Sequence, residues 1–385
     1  MMSRRLFWIG LAAWPMLAFA QNSAPLAQAR IDGIPAARDV NYPGVIIEKV
    51  DATDHVRGIF RVHETIPASP GALTLLYPKW LPGNHTDSGP IAELAGLKFT
   101  VGGRPIHWRR DVTDVFAFHL DMPAGASQVE AEFQFLAPTD PAQGRVVTTP
   151  DMLNLEWNAV SLYPAGYYVR RINVQASVTL PPGWKAATAL EVARQEGSTL
   201  YFKEANFDTL VDSPIFAGAH TRVETLAPGV TLHVMADQPE QLAATPEQIE
   251  LYRNLVAQAV KLFGAQHYDH YDFLLALSGR QGPIGLEHHR SSENSVGANY
   301  FTEWSDNRPR RELLAHEFTH SWNGKFRRPA DLWTPDFRAP MGDSLLWVYE
   351  GQTQFWGYVL SARAGLLSKE ETLGALASIA ARLDT

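Results

Sequence analysis

Arg310-Arg311-Glu312-Leu313-Leu314-Ala315-His316-Glu317-Phe318-Thr319-His320-Ser321-Trp322 is the stretch from which the rest of the chain is read. On a helix, residues four apart lie on one face, so the imidazoles of His316 and His320 can share one zinc ion while Glu317, between them, reaches a water on the metal. A catalytic zinc needs a third protein ligand and an open fourth position.

The third ligand is sought downstream, in Asp343-Ser344-Leu345-Leu346-Trp347-Val348-Tyr349-Glu350-Gly351-Gln352-Thr353. Apolar residues at 345, 346, 348, 349, 355, 356, 359 and 360 predict a helical stripe, with Asp343 or Ser344 as its cap. Glu350 interrupts that stripe on or near its buried side. A carboxylate among Trp347, Val348, Phe355 and Trp356 is costly unless it is paired or bound to metal. Glu350 is thus the candidate third ligand beside His316 and His320 for one Zn2+, with a half-exposed helix glutamate as the alternative reading.

HEFTHSWNGK (316–325) followed by WVYEGQT (347–353) resembles the glutamate-ligand zinc peptidases, and specifically the glycyl aminopeptidase family, whose members usually end in a PDZ domain. Gly285-Leu286-Glu287-His288 and Trp80-Leu81-Pro82-Gly83 are similar to that family's patterns too, and the resemblance covers most of residues 40 to 385. It implies a thermolysin-like catalytic domain with Glu317 as general base. It also implies a substrate-binding group of Glu287, Gly285 and His288, in which Glu287 takes the free α-ammonium of a peptide; His288 stands where the wider superfamily carries Asn. The tyrosine that such enzymes aim at the oxyanion lies beyond the third ligand, and neither Tyr349 nor Tyr358 is assigned that role. Trp80, Pro82 and Gly83 read as a turn, His85 as a surface histidine, and Asn323, Gly324 and Lys325 receive no chemistry. Tyr300, near the site in sequence, is open to a packing role.

The chain starts Met1-Met2-Ser3-Arg4-Arg5, runs apolar from Leu6 to Ala20, and offers Ala18-Phe19-Ala20 as a cleavage site. This is the pattern of a secretory signal peptide, too short for a membrane span. The expectation is a protein exported to the periplasm or the extracellular space, without a lipid or membrane anchor. Loss of Arg4 and Arg5 would take the formal charge from −8 to −10, which disfavours nucleic acid and anionic membranes as partners. There is no cysteine, so stability has to come from the core and the metal site rather than disulfides.

From about 40 to 235, apolar residues alternate with period two, as in Val129, Ala131, Phe133 and Phe135, in Ile172 to Leu180, and in Val230, Leu232 and Val234. These runs predict an antiparallel, sandwich-like β domain at 21–236. After it, Thr245-Pro246-Glu247 opens a helix that Gly264 ends, and Phe273 to Leu277 forms a strand. The fold class expected is α+β, with the β domain followed by the catalytic domain at 237–385. Ser368-Lys369-Glu370-Glu371 is a capping box opening a last helix, inside which the chain stops at Thr385. That stop reads as a fragment lacking further helices and a PDZ domain.

The first function these residues imply is an aminopeptidase acting on peptides, with N-terminal Gly or Ala as the preference the resemblance suggests. A secreted zinc-binding scaffold without activity is the alternative from another class, and a zinc endopeptidase the alternative among enzymes. Structural zinc sites commonly use four protein ligands, often cysteine, which disfavours the scaffold. Glu287 is the residue that disfavours the endopeptidase. Oligomeric state is left open by the sequence.

Overall fold

The computed structural model of the chain describes residues 33–383, so the leader read at 1–20 lies outside the described residues. Alternating side chains organise the first half. In Val45–Asp54, residues Ile46, Glu48, Val50 and Ala52 point inward; in Ile59–Pro67, residues Phe60, Val62, Glu64 and Ile66 do. Gln128–Leu136 buries Val129, Ala131, Phe133 and Phe135, the run expected from the sequence.

Among the described residues the strands form sheets of nine, four, three and five strands. The first three share one hydrophobic core, to which Phe133, Phe118 and Leu155 each contribute from a different sheet. Burying an aromatic or aliphatic side chain of this size is worth about 1.5–3 kcal/mol, and such burial holds these sheets face to face. The nine-stranded sheet is mixed rather than antiparallel: Val45–Asp54 pairs in parallel with Asn173–Thr179.

The five-stranded sheet carries the second half. Its order is His220–Ala227, Val230–Ala236, Tyr271–Leu277, Ser291–Val296 and Gly285–Glu287. Val230–Ala236, grouped by its alternation with the N-terminal strands, instead runs parallel to Tyr271–Leu277 and packs in the second core. Period two reports a strand, not which sheet the strand joins.

Helix Pro246–Phe263 starts at a Thr245–Gln248 capping box and stops at Gly264 in the left-handed region. Leu313–His320 buries Leu313, Leu314, Ala315 and Phe318 in the second core. Gln352–Ala364 packs on that helix so closely that a Cβ at Gly357 would lie 3.1 Å from the His316 Cα. Lys369–Leu383 follows the Ser368–Glu371 box. The chain is thus mixed α and β, mostly sheet, and among the described residues no helix is long and apolar enough to cross a membrane.

Glu48 and Glu64 face each other in register inside the first core, both fully buried. Ser161 donates to Glu48 at 2.7 Å and the Leu162 amide to Glu64 at 2.6 Å, while the second oxygen of each finds no donor. Burial drives both carboxyls well above the carboxylate range, and Glu48 adds to the rise of Glu64. Groups raised by folding contribute stability that is full below their unfolded pKa and lost as pH climbs through the folded one. The melting temperature is therefore expected to fall between pH 5 and pH 9, and to fall less in the Glu48→Gln, Glu64→Gln double variant. An equally steep fall in that variant would acquit the pair.

Candidate active site

The four-residue spacing on helix Leu313–His320 puts the Nε2 atoms of His316 and His320 3.1 Å apart. Glu350 brings Oε2 to 3.5 Å from the first and 3.4 Å from the second. Ligands at about 2.0–2.1 Å from a tetrahedral zinc stand about 3.3 Å from one another, so this triangle fits the ion's donor set and size. His320 donates through Nδ1 to the Asn323 carbonyl at 3.1 Å, which leaves the Nε2 lone pair facing the other two ligand atoms. Glu317 offers a further carboxylate oxygen within 4.8 Å of both histidines.

The charges separate these groups. Burial opposes charging of both imidazoles, but Glu350 raises His316, and Glu287 with Glu350 raises His320. Burial also works against the Glu350 carboxylate, yet its hydrogen bonds from His316, His320 and His85 hold it far below the usual range. Glu317 has no such donors. Burial pushes its carboxyl up to about 8, with attraction to His316 opposing the rise and repulsion from Glu287, Glu350 and Glu312 adding to it. A bound cation would invert that balance and favour the ionised form.

Glu350 arrives by a route different from the one expected. No continuous amphipathic α-helix starts at Asp343 or Ser344; Trp347–Gly351 forms a π-helical turn ahead of Gln352–Ala364. Trp347 is 70% exposed and Phe355 47%, so the buried stripe inferred around Glu350 does not exist. The wider turn is held from the side by Asn323, whose Nδ2 donates to the Val348 carbonyl at 2.9 Å and lies 3.1 Å from the Thr353 hydroxyl. One residue thus orients both His320, through its carbonyl, and the segment bearing Glu350. π-Turns recur at functional sites because they re-aim a side chain.

Gly285–Glu287 runs along the same helix. A Cβ at Gly285 would overlap the Glu317 carboxylate and the Leu313 Cδ1, so any larger residue would displace those side chains. Glu287 is buried and accepts a hydrogen bond from the Tyr349 hydroxyl. Burial alone would raise it, but the charges of His320 and Lys325 and the Tyr349 bond lower it, so it is ionised beside the His316, His320 and Glu350 triangle. His288, grouped with Gly285 and Glu287 for substrate, spends its ring elsewhere: Nδ1 is 3.2 Å from Asp212 and Nε2 3.0 Å from Glu293. Burial opposes its charge, yet those two carboxylates push it up to about 9. Lys325 completes that pairing, 3.0 Å from Asp212. Tyr300 packs in the second core with its hydroxyl on Tyr252.

Two residues at the site carry no signal in the motif reading. Tyr349 precedes a ligand by one position and faces Glu287. His85 is 265 residues from Glu350 in sequence and 2.8 Å from it in space.

Two family models match the chain, one described as the Peptidase M61 N-terminal domain over residues 48–219 and one as M61 glycyl aminopeptidase over residues 310–385. Among solved structures, the chain is similar to an aminopeptidase N family protein from Idiomarina loihiensis, with TM-score 0.72 and 19% identity over 86% of this chain and 56% of that one. It is also similar to an M1 zinc metallopeptidase from Deinococcus radiodurans bound to a Tyr-Ser-Ala substrate, with TM-score 0.51 and 15% identity over 90% and 75% of the two chains. At these identities the likeness is one of fold, and the chain spans little more than half the length of the first relative. No curated protein sequence matches the chain.

Removing the Asn323 amide leaves the Val348 carbonyl without its side-chain donor. Asn323→Ala is expected to lower the free energy of unfolding in urea by about 1–3 kcal/mol; an unchanged midpoint would mean the π-turn holds its shape without it.

Proposed function

We propose that the chain, which belongs to the M61 peptidases, is an exported zinc-dependent aminopeptidase that releases N-terminal residues from peptides. The observation that carries this reading is the convergence of His316, His320 and Glu350 beside two further carboxylates, Glu317 and Glu287, in separate electrostatic states. We read residues 237–385 as a thermolysin-like catalytic domain and 21–236 as the β domain before it, with the signal-like leader supporting export.

His316, His320 and Glu350 are the residues that would hold zinc. Bound there, the ion supplies Lewis-acid polarisation of a peptide carbonyl and acidification of a water molecule. The chain's own groups do the rest. Glu317 accepts the water proton on a carboxylate oxygen as the carbonyl is attacked, and hands that proton to the departing amine. Gly285 leaves room for the Glu317 carboxylate to stay in place during that exchange. Glu287, ionised and buried, offers its charge to the α-ammonium of a peptide, which would set the scissile bond one residue from the N-terminus. The Tyr349 hydroxyl and Lys325 keep Glu287 ionised and oriented. The aminopeptidase class is favoured over an endopeptidase because a buried carboxylate held ionised beside the cleavage centre is suited to receive a cationic end group.

The decisive assay is hydrolysis of glycyl- and alanyl-p-nitroanilide by the mature protein, with and without a chelator, beside the N-acetylated compounds. Release from free amines alone, abolished by the chelator, is expected; release from blocked compounds would indicate an endopeptidase, and none from either, with zinc bound, a scaffold. Glu317→Gln is expected to keep its zinc and lose about 10²-fold or more in kcat. Glu287→Ala is expected to lose the preference for the free amine; retention of that preference would remove Glu287 from the substrate site.

A further inference from the structure

A turn of the N-terminal β domain reaches into the metal-ligand cluster. Leu81 and Thr86 bridge its base, and the Lys79 and Trp80 amides anchor it on the Phe337 carbonyl at 3.0 and 2.8 Å. At its tip, Gly83 has φ +85°, and a Cβ there would stand 2.9 Å from a Glu287 oxygen. On its returning arm, His85 places Nε2 2.8 Å from Glu350 Oε1, the oxygen not turned to His316 and His320.

Three features mark this contact as built rather than incidental. His85 has φ +52°, and among the described residues it is the one non-glycine with positive φ. Holding such a residue there costs about 1–3 kcal/mol, which persists only where the surroundings over-determine it. Its side chain is 11% exposed, edge-on to Tyr349 with ring centroids 4.7 Å apart. Its Nδ1 is buried without a partner, so Glu350 is the polar contact toward which the ring is aimed.

We infer that His85 is a positioning residue for the zinc-binding carboxylate: its Nε2–H donates to Glu350 Oε1 and so presents Oε2 to the metal site. The inference rests on the zinc reading above. A ligating carboxylate with two free oxygens can rotate or bind through either; a donor on one oxygen selects the other and keeps it in the ligand triangle. Through the same turn, Gly83 packs on Glu287. The N-terminal β domain thereby touches both the carboxylate assigned to zinc and the one assigned to the substrate amine.

The test measures zinc affinity by competition with a chromogenic chelator, for mature wild-type protein and for His85→Ala, His85→Gly and His85→Gln. Loss of a partner to a metal ligand typically weakens binding 10–100-fold, and that loss is expected for Ala and Gly. Gln, whose Nε2 lies close to the position of the imidazole Nε2 and also donates, is expected to recover most of it. His85→Gly relieves the left-handed backbone, so its zinc-free melting temperature is expected to equal or exceed that of wild type while its zinc affinity still falls. A merely structural His85 would give the reverse, an unstable Ala variant with unchanged zinc affinity, and that result overturns the inference. Wild type that binds no stoichiometric zinc, or His316→Ala that binds it as well as wild type, would instead sink the zinc reading on which the inference stands.

Discussion

Three carboxylates, Glu287, Glu317 and Glu350, gather around two imidazoles in a largely buried place, and the rest of the site answers the charge they concentrate. Like charges this close cannot all stay ionised without compensation. Glu350 is compensated by three histidines and Glu287 by His320, Lys325 and the Tyr349 hydroxyl, whereas for Glu317 burial prevails over the attraction of His316. Neighbouring carboxyls driven apart in this way are suited to different tasks, two as fixed charges and one as a group that takes and returns a proton. The same crowding makes the cluster hospitable to a divalent cation, since a +2 charge relieves every repulsion at once.

That crowding requires backbone to come unusually close. The strand bearing Glu287 lies against Glu317 because residue 285 is glycine, and helix Gln352–Ala364 lies against the His316 turn because residue 357 is glycine. The segment before that helix winds as a π-turn, and Asn323 supplies the donor that the turn's carbonyl takes. Geometry at the three ligand atoms therefore rests on side-chain hydrogen bonds and two absent methyl groups, more than on the apolar burial of the helix that carries Glu350.

The local parts of this arrangement were legible in the sequence. A spacing of four on a helix is a geometric statement, so His316, Glu317 and His320 met as expected, and the capping boxes at Thr245 and Ser368 opened their helices where the residues said they would. Glu350 was reached through a faulty premise: periodicity implied a buried stripe, but Trp347 and Phe355 stand exposed, and a π-turn shifts the phase on which the stripe depended. Glu287 and His288 were grouped through the resemblance, yet the strand ends at Glu287 and His288, just past it, goes to Asp212 and Glu293. His85 carried no signal, because a contact across 265 residues is a property of the fold and not of any window along the chain.

The N-terminal sheets meet the half that carries the HExxH helix at more than the His85 turn. Between the HExxH helix and Glu350 the chain crosses back over them: Phe337 sits in the first core, the Pro335 carbonyl accepts from the Val169 amide at 3.0 Å, and Arg338 pairs with Asp114 at 3.0 Å. Phe337 is also where the Lys79 and Trp80 amides bond. Glu350 is thus fixed from two sides by one body, through the connection that leads up to it and through the histidine that meets its outer oxygen. Two motifs on separate helices form one site only if something rigid sets the distance between them, and here that distance is referred to a sheet that contributes none of His316, His320 and Glu350. The N-terminal domain, read in the sequence as a separate β module, is on this argument part of what brings His316, His320 and Glu350 together.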